Sequence, residues 1–186
     1  LDDPIANVTI GTGPGVFPRA GFLPVGGVFR QRRNVGRIDA LGLEGRLSWQ
    51  GGPLQPRFLV SGSYSSARVN GGILSPQLTG KRPAQAPNWS AYAGLTWPVS
   101  DRLSWGVTWR GESARYEDDL NTRALAAYGA LDARLSWRIT PRAEIVLSGE
   151  NLIDSRVETA RAVDGLVTLA QGRVIRLGIS LGQKPS

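Results

Sequence analysis

The chain reads as an all-β protein, an antiparallel transmembrane β-barrel of which about eight strands are visible. Three observations predict this. Apolar and polar residues alternate with period two in run after run. Short and long connections follow one another by turns. Tryptophans gather beside the short connections, on the apolar side of their runs.

The alternation begins with a brief run at residues 6–10. It is clearest at residues 41–50, where Leu41, Leu43, Gly45, Leu47 and Trp49 oppose Gly42, Glu44, Arg46, Ser48 and Gln50. The next run sets Phe58, Val60, Gly62 and Tyr64 against Ser61, Ser63 and Ser65. Further runs start at Ser90, Leu103, Tyr128 and Glu144, and the last places Ile175, Leu177, Ile179 and Leu181 on one side. A tilted strand needs about 9–11 residues to cross hydrocarbon. The runs at 41–50, 57–67, 102–112 and 128–139 reach that length, whereas 6–10 and 90–97 fall short.

Short turns are marked by Gly51, Gly52 and Pro53, by Pro98 to Asp101, and by Thr140, Pro141 and Arg142. Long segments lie between them at 11–34, 70–89, 112–127 and 151–172. A membrane barrel has this asymmetry, with short periplasmic turns and long outer loops. Trp49, Trp97, Trp105 and Trp137, joined by Phe58, all sit near short turns. Indole favours the headgroup level, so these five are expected to form one lipid-interface girdle. Tyr64 and Trp109 are the candidates for the opposite girdle.

Composition excludes several chemistries. The 186 residues contain no His and no Cys, which removes Ser–His catalysis and thiol or zinc sites within the chain. No cofactor and no enzymatic activity are expected. The net charge is +7, but the arginines are scattered and only Arg30, Arg32 and Arg33 cluster, so nucleic acid is not an expected partner. No apolar run is long enough for a membrane helix, which leaves strands as the way to cross. The opening residues, from Leu1 to Ile10, read as the middle of a longer protein.

By parity Glu44, Arg46, Arg110, Glu112, Asp132 and Arg134 face the lumen. They are expected to pair across strands or to meet an anionic ligand or an inner domain. Arg30, Arg32, Tyr116, Glu117, Asp118 and Asp119 fall in long loops and are the candidate ligand contacts. Glu117 to Asp119 lack the spacing of a calcium loop. Gly11, Thr12, Gly13, Pro14 and Gly15 resemble a phosphate-binding loop, but no helix follows, so an outer loop is the better reading.

Five motifs then occur in a familiar order. They are Gly42-Leu43-Glu44; Gly62-Ser63-Tyr64-Ser65; a Leu78, Gly80, Pro83, Pro87 loop; Tyr116 through Asn121; and Glu150-Asn151-Leu152 with Asp154. Residues 35–181 thereby resemble the C-terminal third of TonB-dependent outer-membrane receptors. The resemblance implies a 22-stranded barrel around an N-terminal plug, with residues 1–186 a partial barrel domain lacking plug and TonB box. It implies location in the Gram-negative outer membrane, with outer-membrane lipid as the surrounding partner. It also implies energised uptake of a scarce nutrient such as an iron–siderophore complex, driven by TonB–ExbB–ExbD. A self-contained eight-stranded barrel with an anchoring or adhesion role is the alternative. The chain departs from the family in having no aromatic residue at its end, which runs from Ile179 to Ser186.

Overall fold

A computed structural model describes residue 2 and residues 4–182. The departure at the chain end therefore falls partly outside the described residues. The strands in chain order are β1 (Ile5–Thr12), β2 (Gly15–Phe17), β3 (Gly21–Leu23), β4 (Val28–Asn34), β5 (Arg37–Gln50), β6 (Arg57–Asn70), β7 (Trp89–Pro98) and β8 (Leu103–Glu112). They continue with β9 (Arg115–Tyr116), β10 (Ala124–Leu125), β11 (Tyr128–Thr140), β12 (Ala143–Glu150), β13 (Glu158–Arg161), β14 (Val167–Leu169) and β15 (Val174–Leu181).

Seven of these form one antiparallel meander in the order β15-β12-β11-β8-β7-β6-β5. Sequential neighbours pair because each short turn folds a strand back on the one before it. The alternation of connections is as the sequence predicts: short turns join β5 to β6, β7 to β8 and β11 to β12, and long segments make the other links. β5 and β6 have 14 residues each, β11 has 13, and β7 and β8 have 10. The 90–97 run gains Trp89 and Pro98 and so reaches spanning length. The sheet is open: β5 and β15 lie at its two edges and do not pair with each other.

The first run is not an eighth strand of this sheet. It belongs to β1, which pairs with β4 in a separate two-stranded ribbon, with β2 and β3 pairing near its tip. Much of the expected 11–34 loop is therefore ordered as ribbon. β4 leads through Val35 and Gly36 into β5, so the ribbon rises from the long-loop end of the sheet. A small apolar cluster of Val8, Val35, Val69 and Leu78, flanked by Ala6, Ile10, Ile38 and Leu120, fastens it there.

The sheet itself has no such core on its outward side. Leu41, Leu43 and Leu177 are 80%, 77% and 74% exposed, and Leu47, Val60, Leu135, Ile175, Ile179 and Leu181 are exposed beside them. Each exposed Leu forgoes about 1.5–3 kcal/mol available from burial. A continuous face of this kind needs an apolar medium against it.

Candidate functional site

The strand register sorts side chains into rows on two faces. Outward, Leu43 stands beside Tyr64 and Trp89, and Leu47 beside Val60, Ala93, Trp109 and Leu131. Nearer the short turns, Trp49 stacks on Phe58 at 5.7 Å between ring centroids, and Trp97 tilts against Trp105 at 6.1 Å. The Trp97 indole N–H donates to the Leu54 carbonyl in the β5–β6 turn at 3.3 Å. Trp137 is exposed at the same end. The structure thus brings the five predicted girdle residues to the short-turn end of the outward face. At the other end, Trp89, from the segment expected to be loop, joins Tyr64. Trp109 reaches toward this end as well, for its ring lies over Gly111 and Gly129, near the long-loop ends of β8 and β11.

Inward, the rows alternate in charge. Glu44, Ser63, Ser90, Glu112 and Tyr128 form one row, at the long-loop ends of β7, β8 and β11. Arg46, Ser61, Tyr92, Arg110 and Ala130 form the next. Together they line a cleft of about 620 Å³. Arg110 pairs with Asp132 on the adjacent strand, as the sequence reading expected of an inward cation. Glu112 pairs instead with Arg115 at 3.3 Å, at the rim. Arg134 bonds Ser136 through its Nε at 3.3 Å, and Arg46 has no ion-pair partner among the described residues.

The long-loop end is a clasp of polar contacts. Asp119 accepts from both the N–H and the hydroxyl of Thr9, at 2.7 and 2.6 Å, tying the ribbon to the 113–127 segment. The Gln77 amide adds a bond to the Thr9 carbonyl at 3.3 Å. Asp118 is buried and accepts from the Thr122 hydroxyl at 2.7 Å and from the Arg123 N–H at 2.8 Å. Burial pushes its carboxyl up, but the bonds from Thr122 and Arg123 outweigh that and hold it below the usual carboxylate range. Glu117 accepts from the Gln85 amide, and the Arg82 guanidinium lies 5.4 Å from the Tyr116 ring centroid. Tyr116 and the three acids are thus committed to contacts within and between loops. Arg30 and Arg32 remain exposed on β4, and Arg30 faces a second cavity of about 370 Å³ that also touches Arg82 and Glu117 to Asp119.

Two further polar centres lie in the long segments, and sequence reading missed both. Glu158 is buried and pairs with Arg161 at 2.9 Å and Arg156 at 3.7 Å. The Arg161 bond, followed by one from the Ala126 N–H, holds its carboxyl below the ordinary range. Asn151 adopts a positive φ of 49° and is buried. Its N–H donates to Asp132 at 2.8 Å, and its side-chain amide exchanges two 2.9 Å bonds with the Ser155 backbone. Nothing in residue spacing announced these partners; only the motif around Asn151 marked the place.

Among the described residues no group of His, Cys, Asp and Glu is arranged to hold a metal ion. No helix is long and apolar enough to cross a membrane, which says nothing of crossing by strands.

Comparison with known proteins gives this geometry a context. Residues 1–152 match the family model described as TonB dependent receptor-like, beta-barrel. The pesticin receptor of Yersinia enterocolitica is 25% identical over 159 residues, covering 80% of this chain and 22% of the relative. The Yersinia pestis pesticin receptor is equally similar. Among solved structures, the ferric yersiniabactin uptake receptor FyuA of Y. pestis superposes with a TM-score of 0.73 at 22% identity, over 81% of this chain and 24% of that one. The siderophore receptor PiuA of Acinetobacter baumannii gives a TM-score of 0.70 at 23% identity, over 81% and 22% respectively. This chain spans about 22% of the curated relatives it matches. The exposed apolar face is then the lipid-facing side of a barrel wall, in a family of receptors rather than enzymes. The chain belongs to the TonB-dependent receptor β-barrel family and forms part of a barrel in the Gram-negative outer membrane.

Proposed function

We propose that the chain is wall and outer loops of a receptor that takes up an iron–siderophore complex, energised by TonB–ExbB–ExbD acting on parts of the protein outside this chain. The observation that carries this reading is the pairing of a lipid-compatible outward face with a polar inward wall, roofed at one end by ordered loops. The long-loop end faces outside the cell, and the short turns face the periplasm. The similar FyuA, a ferric yersiniabactin uptake receptor, and PiuA, a siderophore receptor, favour a siderophore as cargo. A likeness to the copper transporter OprC, with a TM-score of 0.64 at 19% identity, shows that the fold alone does not select it.

On this reading the cavity beside Arg30 and Arg82 and the inward cleft at Arg46 and Arg110 are the places where an anionic complex meets fixed cations. The girdle residues Trp49, Phe58, Trp97, Trp105 and Trp137 set the depth of the wall at its periplasmic edge. The open edges of the sheet favour a larger barrel over a self-contained one of eight strands, because unpaired backbone groups facing lipid cost several kcal/mol each.

The test is growth of an iron-starved strain carrying only this receptor, supplied with single purified ferric siderophores. Growth on at least one, abolished by loss of TonB, supports the reading. Growth on none, with the receptor present at normal level in the outer membrane, refutes it.

A further inference from the structure

The outward face is not evenly filled. One of its rows runs from Phe58 through Leu95 and Val107 to Ala133, Gly149 and Ile175. Where it crosses β11 and β12 it drops to the small residues Ala133 and Gly149, with Val107 and Ile175 standing on either side. The next row toward the short turns stays bulky, with Trp105, Leu135 and Leu147. Toward the long loops the chain has left β12, and Leu152 folds back over the sheet. Its N–H donates to the Leu131 carbonyl at 2.7 Å, and its side chain fills the space that a Cβ on Gly149 would need. The turn at buried Asn151, fixed by its bonds to Asp132 and Ser155, holds Leu152 there.

Two small residues ringed by large ones leave a notch of about 250 Å³. Arg134 and Ser148 border it, but they form an inward pair by register, and Arg134 bonds Ser136. Among the described residues, no charged or hydroxyl side chain of an outward row lies beside it.

Depth and lining say what fills this space. Ala133 stands four positions above the girdle residue Trp137 on β11. That is about 13 Å along the strand, and a tilt of about 35–45° turns it into roughly 10 Å of depth. In an apolar band about 25 Å tall, the notch lies near the middle. Water there would find no side-chain partner, whereas an apolar cavity of only about 150 Å³ already takes up a benzene-sized molecule. The rows on both sides of the notch are lipid-facing rows, so the hydrocarbon that meets it is the lipid of the membrane.

We propose that this notch binds one acyl chain of a membrane phospholipid, as a fixed site distinct from the mobile lipid along the rest of the wall. The chain lies over Ala133 and Gly149, against Leu152 on the long-loop side and Trp105 and Leu135 on the short-turn side. Packing contacts hold it, so the site selects for the chain and is indifferent to the headgroup.

The test counts lipids retained by the full-length receptor. Protein reconstituted in phosphatidylethanolamine vesicles is extracted into detergent, washed and weighed by native mass spectrometry, with heat-modifiable gel migration as the readout of an intact barrel. Ala133→Leu fills the notch and should retain one phospholipid fewer than wild type, the fraction at the wild-type count falling about tenfold. Ala91→Leu makes the same addition to the outward face away from the notch, beside Gly62 and Gly111, and should keep the wild-type count. Leu152→Ala removes a wall instead of filling the space. It should lower retention too, and it gives the answer should the leucine variant not assemble. The same loss is expected from phosphatidylglycerol vesicles with identical chains. Ala133→Leu and Leu152→Ala that both keep the wild-type count overturn the proposal. So does a wild type that retains no phospholipid, or a loss seen with one headgroup and not the other. A wild-type protein that shows no heat-modifiable barrel overturns the reading of the sheet as barrel wall as well.

Discussion

Placing a charge at Leu135 tests the two-faced wall at the level of a single side chain. Leu135 sits mid-strand in β11, in an outward row with Trp105, Leu147 and Leu177, and is 40% exposed with no protein layer over it. Its neighbour Ser136 points inward, between Ser104 and Val146. An arginine costs about 2–4 kcal/mol at the hydrocarbon midplane and about 0–1 near the interface. Leu135 stands beside Trp105 and next but one to Trp137, between those levels, so a loss of about 1–3 kcal/mol is expected, about 5- to 150-fold in the folded-to-unfolded ratio. Ser136→Arg adds a cation two residues from both Arg134 and Arg138. Like-charge neighbours on a strand face cost about 0.2–1 kcal/mol, so the inward change should stay under that bound. The assay is reversible denaturant unfolding of the full-length receptor in lipid vesicles, comparing both variants with wild type. A greater loss for Leu135→Arg than for Ser136→Arg is expected. Equal losses, or a greater loss at Ser136, would refute the face assignment.

Other expectations follow from the loop contacts. Asp119→Ala removes the acceptor of two Thr9 bonds and should loosen the ribbon by about 1.5–3 kcal/mol of local stability. Amide exchange confined to β1 and β4 reads this, and unchanged protection would contradict it. The Glu158 carboxylate is held below its ordinary range, so its contribution is full above the unfolded pKa and lost as pH falls through the lower folded value. Limited proteolysis of residues 151–172 should therefore speed up in acid. Glu158→Gln should be cut readily at neutral pH and respond less to acid. Asn151→Ala places an alanine at φ 49° and strands the Ser155 N–H, so it should cost about 1–3 kcal/mol in the same unfolding assay. Asn151→Gly relieves the backbone strain but not the lost bond, and should fall between alanine and wild type.

The meander was legible because its signals are local. Leu41 to Gln50 alternates cleanly since one side meets hydrocarbon and the other a polar lumen, and Gly51 to Pro53 ends it with turn chemistry. The Arg110–Asp132 pair was legible in part because both residues have inward parity. The ribbon was not, because the 6–10 run alternates like any strand and its pairing with Val28–Asn34 depends on a turn-rich stretch between them. Trp89 was hidden by the proline and asparagine before it, which resemble loop up to the residue where the ladder begins. The contacts of the outer end were least visible. Asp119 and Thr9 are 110 positions apart, and Glu158 draws on Ala126, 32 residues earlier. Only tertiary packing of the loops brings such pairs together. The acids at 117–119 looked available for a ligand for the same reason, whereas Asp118 and Asp119 are bonded to protein in the fold.

The outward rows touch lipid and the inward rows do not. The chain contains no cysteine, so single spin labels can be placed in it one position at a time. Labels at Leu43, Leu135 and Leu177, and at Ser61, Thr108 and Ser148, should be compared in vesicles for collision with oxygen and with a water-soluble nickel chelate. Oxygen-dominated relaxation is expected at the first three and a clear shift away from it at the second three. Nickel-dominated relaxation at Leu43, Leu135 and Leu177 would contradict it.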